Sequence, residues 1–144
     1  MSRGRDSVVH EFLASAIAMI RATTGVGAAI DSTAPPSGTK IAVVVGARGA
    51  LSGITWVFPH AIIHAMIRRA IPGAENRPSL RDAAATELAN ILTGRCAETL
   101  SLHGIHVEIE PPHVTHTIDE GLKVHLATEL GTIDIVLHPR RTAA

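Results

Sequence analysis

Residues Lys40–Pro59 read KIAVVVGARGALSGITWVFP. Ile41 to Gly46 is a β-branched run too short for a helix, and Gly49 marks a turn. Ser52 to Phe58 is a second extended run, so the two segments predict a β-hairpin. Pro59 suits the first turn of a following helix, where a missing N–H costs nothing. That helix runs to about Ala70 and stops before Pro72-Gly73.

The pattern extends in both directions from this hairpin. Upstream, Val9, Phe12, Leu13, Ala16, Ile17 and Ile20 recur at helical spacing, which predicts an amphipathic helix from Ser7 to about Ile20. A short strand near Val26 to Ile30 follows, then a loop over Ser32 to Lys40 containing Pro35-Pro36 and Gly38. Downstream, Gly73 to Pro78 is a loop. Ser79 is an N-cap with Asp82 in the acidic first turn, opening a helix from Leu80 to about Leu100. Three strands close the chain: Ile105 to Glu110, Leu122 to Thr128, and Thr132 to Leu137. Pro111-Pro112 and Gly121 fall between the first two, and Gly131 occupies a tight turn between the last two.

This order contains a repeat. Each half opens with a long helix and continues with three strands. Twenty-four residues separate Glu11 from Pro35, and 24 separate Glu87 from Pro111. Both halves place a Pro-Pro pair there, and both end a strand before a proline, in Phe58-Pro59 and His138-Pro139. The sequence therefore predicts an α+β fold: two pseudo-duplicated helix-plus-three-strand units sharing an antiparallel sheet, with the long helices packed on it. A single domain is expected over 7–138, with tails at 1–6 and 139–144.

Composition narrows the function classes. The 144 residues carry 13 basic and 13 acidic side chains, with 46% hydrophobic residues. Phe12, Trp56 and Phe58 are the only aromatic residues. A neutral chain with so few rings lacks the basic face and stacking platforms that select nucleic acid. No run approaches the ~20 apolar residues of a membrane span. The basic start at Arg3 and Arg5 is followed by His10 and Glu11, which interrupt any signal-peptide core. The single cysteine, Cys96, excludes an internal disulfide framework, and a soluble, cytoplasmic protein is expected.

On the second long helix, a wheel centred on Leu88 brings Ala84, Ala85, Ile91, Leu92 and Thr99 within about 60° of it, with Arg95 snorkelling nearby. Ala83, Glu87, Asn90 and Gly94 fall together on another face. Spacing alone reads Glu87 and Asn90 as solvated residues of that face. Their small neighbours would also let another macromolecule approach closely. A mid-helix glycine such as Gly94 costs ~1 kcal/mol relative to alanine.

The string Glu87-Leu88-Ala89-Asn90-Ile91-Leu92-Thr93-Gly94, followed by Leu100 and Pro111-Pro112, resembles the CheX-type chemotaxis phosphatases of the CheC/CheX/FliY family. The hairpin with Gly46, Gly49 and Gly53, leading into Phe58-Pro59, resembles the same family, so the likeness spans about Ser7 to Leu137. It implies dephosphorylation of a CheY-like response-regulator receiver domain, with Glu87 pairing with a receiver lysine and Asn90 orienting the attacking water. Ala83, Thr86 and Gly94 would lie against the partner. The resemblance implies no cofactor of the chain's own, Mg²⁺ being supplied by the phosphorylated receiver, and a homodimer formed through sheet edges.

The sequence departs from the family pattern at three places. Ala83 occupies the position of the motif's Asp or Ser, with Asp82 one residue out of register. His113-Val114-Thr115-His116 follows the proline pair where the family has a glycine. In the first helix Ser7, Glu11 and Ala14 keep the motif's spacing but lack its asparagine, leaving one competent copy.

Nine histidines raise a metal-based alternative. His60 and His64 are four apart on a predicted helix and could share a metal ion, but with no third ligand identifiable they read first as boundary histidines at the edge of the apolar stripe of Ile63, Met66 and Ile67. His103, His106, His113 and His116 cluster around a predicted strand and could meet one if the loop folds back, although exposed loop histidines are the commoner arrangement. Cys96 lies toward the buried side of its helix and reads as core. A receiver-binding module without hydrolysis is a further alternative, favoured by Ala83.

Overall fold

The structure, a computed structural model, describes residues 4–31, 33, 35–36, 38–70, 80–118 and 120–140. The expected loop over 73–78 and the Ser79 cap lie outside them. Helices α1 (Arg5–Thr24), α2 (His60–Ala70) and α3 (Arg81–Leu102) accompany strands β1 (Ala28–Ile30), β2 (Lys40–Gly49), β3 (Leu51–Pro59), β4 (Val107–Thr115), β5 (Leu122–Thr128) and β6 (Gly131–Pro139). The strands form one antiparallel sheet in the order β1-β5-β6-β3-β2-β4.

That order carries the repeat. Exchanging β1 with β4, β2 with β5 and β3 with β6 turns it into its own reverse, as two equal units joined side by side require. The junction is the β3–β6 pair, two nine-residue strands that end at Pro59 and Pro139. The Phe58-Pro59 and His138-Pro139 match is thus structural. The Pro-Pro match is one of spacing only, because Pro35-Pro36 lies outside the strands whereas Pro111-Pro112 lies inside β4.

That placement corrects the expectation of prolines between strands. Pro112 pairs with Val45, and the register slips between there and the Ala47–Ile109 pair. β4 is an edge strand, and the proline pair sits at its bulge. Edge and bulge are the two places where a strand tolerates residues lacking an N–H. Pro59 likewise ends β3, pairing with Lys40, and α2 begins one residue later.

Alternate strand residues face the helices: Ile41, Val43 and Val45 of β2, Ile54, Trp56 and Phe58 of β3, and Ile133, Ile135 and Leu137 of β6. They join Phe12, Leu13, Ala16 and Ile20 of α1 and Leu88, Leu92, Cys96 and Leu100 of α3 in one core. All three aromatics meet there. Trp56 stacks on Phe58 with centroids 6.1 Å apart and meets Phe12 at 6.5 Å and a 52° tilt. The β2–β3 turn depends on Gly49 at φ 101°, where a Cβ would come within 2.3 Å of the His106 carbonyl oxygen.

One polar bond crosses this core. The Trp56 indole N–H donates to Thr93 Oγ1 at 2.8 Å, and the Thr93 hydroxyl donates in turn to the Ala89 carbonyl at 2.7 Å. Both side chains are fully buried. Thr93→Val keeps the shape but strands the indole N–H, so urea denaturation should show a loss of about 1–3 kcal/mol. In the Thr93→Val background, Trp56→Phe should cost less than it does in the wild type.

Candidate functional site

The direction in which α3 presents its side chains differs from the simple wheel. Ala85, Leu88, Ala89, Leu92, Thr93, Cys96 and Leu100 are buried, whereas Ala84, Ile91 and Thr99 are only half-buried and Arg95 is exposed. The buried stripe is thus centred nearer Cys96 than Leu88. Alanines lie all round this helix and leave the apolar face weakly defined in sequence. Packing against β4 and α1 and the Thr93–Trp56 bond settle the rotation instead. Arg95 does not snorkel over the core; its guanidinium donates to Thr23 Oγ1 on α1.

With this rotation Ala83 and Glu87 are exposed, and Thr86, Asn90 and Gly94 are half-buried. Asn90 lies one helical turn from Glu87 on the same side. Among the described residues, no hydrogen bond or ion pair engages the Glu87 carboxylate or the Asn90 amide. Thr86 is turned inward on its own helix, its hydroxyl donating to the Asp82 carbonyl at 2.7 Å. Gly94 is at the rim of this face, where a Cβ would stand 3.8 Å from Ile109 Cδ1 of β4. The surface is therefore one carboxylate and one primary amide, flanked by residues of little or no side chain. It can accept a cationic group at Glu87. Asn90 can hold a water molecule through both donor and acceptor atoms.

In α1, Ser7, Glu11 and Ala14 occupy the pseudo-equivalent places, 76 residues before Ala83, Glu87 and Asn90. Ser7 and Glu11 are half-buried and Ala14 is exposed, so that half offers no amide at this position.

The histidines are distributed differently from a metal centre. The Arg81 guanidinium, at the start of α3, lies against both His60 and His64, with Nε 3.3 Å from His64 Nε2 and a terminal nitrogen 3.1 Å from His60 Nδ1. The two imidazoles thus share an arginine contact. His106 and His116 stand at opposite ends of β4, about 30 Å apart along an extended strand, and His113 lies within it facing Val44. The loop that was to fold back is therefore largely strand. Among the described residues no group of three or more His, Cys, Asp or Glu side chains is arranged to hold a metal ion.

Sequence reasoning missed the His125–Asp134 pair, in which imidazole Nδ1 bonds a carboxylate that is only 5% exposed. The signal was available: a hairpin turning at Gly131 pairs Thr128 with Gly131 and, three residues further out on each strand, His125 with Asp134. Arg81 was also missed, because its partners lie on another helix and no spacing rule connects them.

The architecture settles the comparison with known proteins. The chain has the CheC/CheX fold. The crystal structure of the chemotaxis protein CheX from Vibrio vulnificus superposes with a TM-score of 0.73 at 19% identity, over 95% of this chain and 99% of that one. The CheC-like superfamily protein from Shewanella sp. PV-4 gives 0.67 at 17% identity, over 93% and 97%. A chain of the CheX–CheY–BeF3–Mg²⁺ complex from Borrelia burgdorferi gives 0.67 at 15% identity, over 92% and 97%. The sequence matches no protein-family model and no curated protein. Among the described residues no helix is long and apolar enough to cross a membrane.

Cys96 lies on the sheet-facing side of α3 in this fold, fully buried, and burial pushes its thiol up to about 12. It is a core residue without thiolate character at neutral pH. Native protein should therefore leave it unlabelled by a maleimide at pH 7, with full labelling in urea. Rapid labelling of the folded protein would contradict the burial.

Proposed function

We propose that this protein is a phosphatase of phosphorylated response-regulator receiver domains, acting through the outward face of α3. The observation that carries the reading is the pair Glu87 and Asn90, one turn apart and without hydrogen-bond partners among the described residues. They stand on a fold shared with a chain of a CheX–CheY complex. Aspartyl-phosphate hydrolysis asks for little covalent chemistry. It asks for a water held in line with the scissile bond and for neutralisation of the phosphoryl oxygens.

Docking of α3 beside the receiver's phosphoaspartate would bring the Asn90 amide to the incoming water. Its carbonyl accepts a water hydrogen while its NH₂ donates to a phosphoryl oxygen, and it adds no negative charge near the phosphate. Glu87, exposed at the same level, pairs with a receiver lysine and fixes the helix in register. Mg²⁺ held by the receiver supplies charge neutralisation when bound. Ala83, Thr86 and Gly94 keep the relief low so that the two backbones can approach. Homodimerisation through sheet edges belongs to the same reading, and the exposed edge strands β1 and β4 are the segments available for it.

A second reading, docking without hydrolysis, is favoured by Ala83, which is exposed at the position where the motif carries Asp or Ser. Time courses of phosphate loss from phosphorylated receivers separate the two. The protein should accelerate the loss, and Asn90→Ala should reduce the acceleration on the order of 10²-fold while preserving docking. Glu87→Ala should weaken docking itself. Docking with no acceleration across a panel of receivers would assign the binding-module role.

A further inference from the structure

At the N-terminal end of α3, about 12 Å along the helix from Asn90, lies a cleft of about 240 Å³ that the reading above does not use. Lys40 from the start of β2, His60 from the start of α2 and His116 just beyond β4 line it, with Asp82 and Thr115. Arg81 stands behind His60. Its guanidinium has no acceptor state, so both nitrogens it touches, His60 Nδ1 and His64 Nε2, must be unprotonated acceptors. Neutral His60 therefore carries its proton on Nε2, and that N–H is left to donate elsewhere.

Among the described residues around the cleft, basic side chains outnumber acidic ones. Among the described residues, the basic side chains Lys40 and Arg81 stand here against the one carboxylate of Asp82. The Thr115 hydroxyl is already committed to the Thr117 carbonyl. The His60 imidazole is held below its ordinary range chiefly by burial, then by the neighbouring Arg81 and His64, with Asp82 opposing them. Among the described residues, donors from three separate parts of the chain line one cleft with more basic than acidic groups, which suits a ligand with oxygens pointing in several directions more than a planar carboxylate.

We propose that this cleft is a tetrahedral-oxyanion site, taking a phosphate-like dianion between Lys40, His60 and His116. The site is independent of receiver docking. A bound dianion beside His60 favours its protonated form and opposes the effect of Arg81, so it raises the pKa of His60. By linkage, the anion binds more tightly as pH falls through the range in which His60 takes up a proton at Nδ1, an uptake that releases the Arg81 contact. Among the described residues, the charged and titratable groups around His60 are Arg81 and Asp82 of α3, His64 of α2, Lys40 of β2 and His116.

Sulfate is the suitable probe, since its charge is constant between pH 5 and 8. Histidine NMR of the full chain, at fixed ionic strength, should show saturable sulfate shifts at His60 and His116 and an upward move of the His60 titration. Lys40→Gln, at an exposed position, should weaken sulfate about tenfold or more. Asp82→Asn should strengthen it. Parallel titrations with inorganic phosphate and glycerol phosphate identify the source of the group. Equal affinities assign the free ion, and tighter glycerol phosphate assigns an organic phosphomonoester. Non-saturating shifts unchanged by Lys40→Gln would overturn the proposal, as would Zn²⁺ bound at His60, His116 and Asp82 in place of an anion.

Discussion

The bond from the Trp56 indole to Thr93 fixes how α3 lies on the sheet, and the outward face of that helix follows from it. A buried N–H must find an acceptor, and the Thr93 hydroxyl is the one it finds. That requirement turns Thr93 toward β3. Since each residue advances about 100°, Asn90 then points about 60° away from Thr93 and Glu87 about 120° away. The polar pair reaches the surface because a different pair is satisfied in the core. The aromatic column of Phe12, Trp56 and Phe58 backs the bond from the other side, so α1, the sheet and α3 are held around one indole.

The duplicated plan sets the second constraint. Two helix-plus-three-strand units meet at β3 and β6, where both strands are central and most deeply covered. The edges fall to β1 and β4. This assigns unequal work to equal segments: a proline pair that would disrupt a central strand is accommodated at the β4 bulge. It also gives α1 and α3 equivalent seats, of which only α3 presents a carboxylate with an amide. α3 carries two kinds of surface along its length. Its middle offers small residues around Glu87 and Asn90, and its start joins α2 through Arg81 and opens on the positively charged cleft.

Much of this could be read directly from residues. The hairpin at Gly49 was legible because β-branched runs flank a glycine whose φ is positive. The two long helices and the β5–β6 hairpin were legible from period and turn chemistry. Glu87 and Asn90 were legible as a pair on one face because three residues of helix place them there in any rotation. Less was legible where alanine dominates. The α3 wheel was centred on Leu88 and drew Arg95 inward, since a helix rich in alanine has no sharply apolar side. The histidines were only partly legible for a related reason. Spacing four apart shows that His60 and His64 are neighbours, yet says nothing of the arginine that lies across from them.

The sequence by itself determined the local elements, the duplication and the residues sharing each helix face, because these depend on periodicities of two and 3.6 and on what glycine and proline permit. Tertiary structure decided the strand order, the rotation of α3, the edge position that lets Pro111-Pro112 lie within a strand, and the meeting of Arg81 with His60 and His64. Those features join residues tens of positions apart, and their geometry is set by core packing and by the satisfaction of buried polar groups. No local pattern records either.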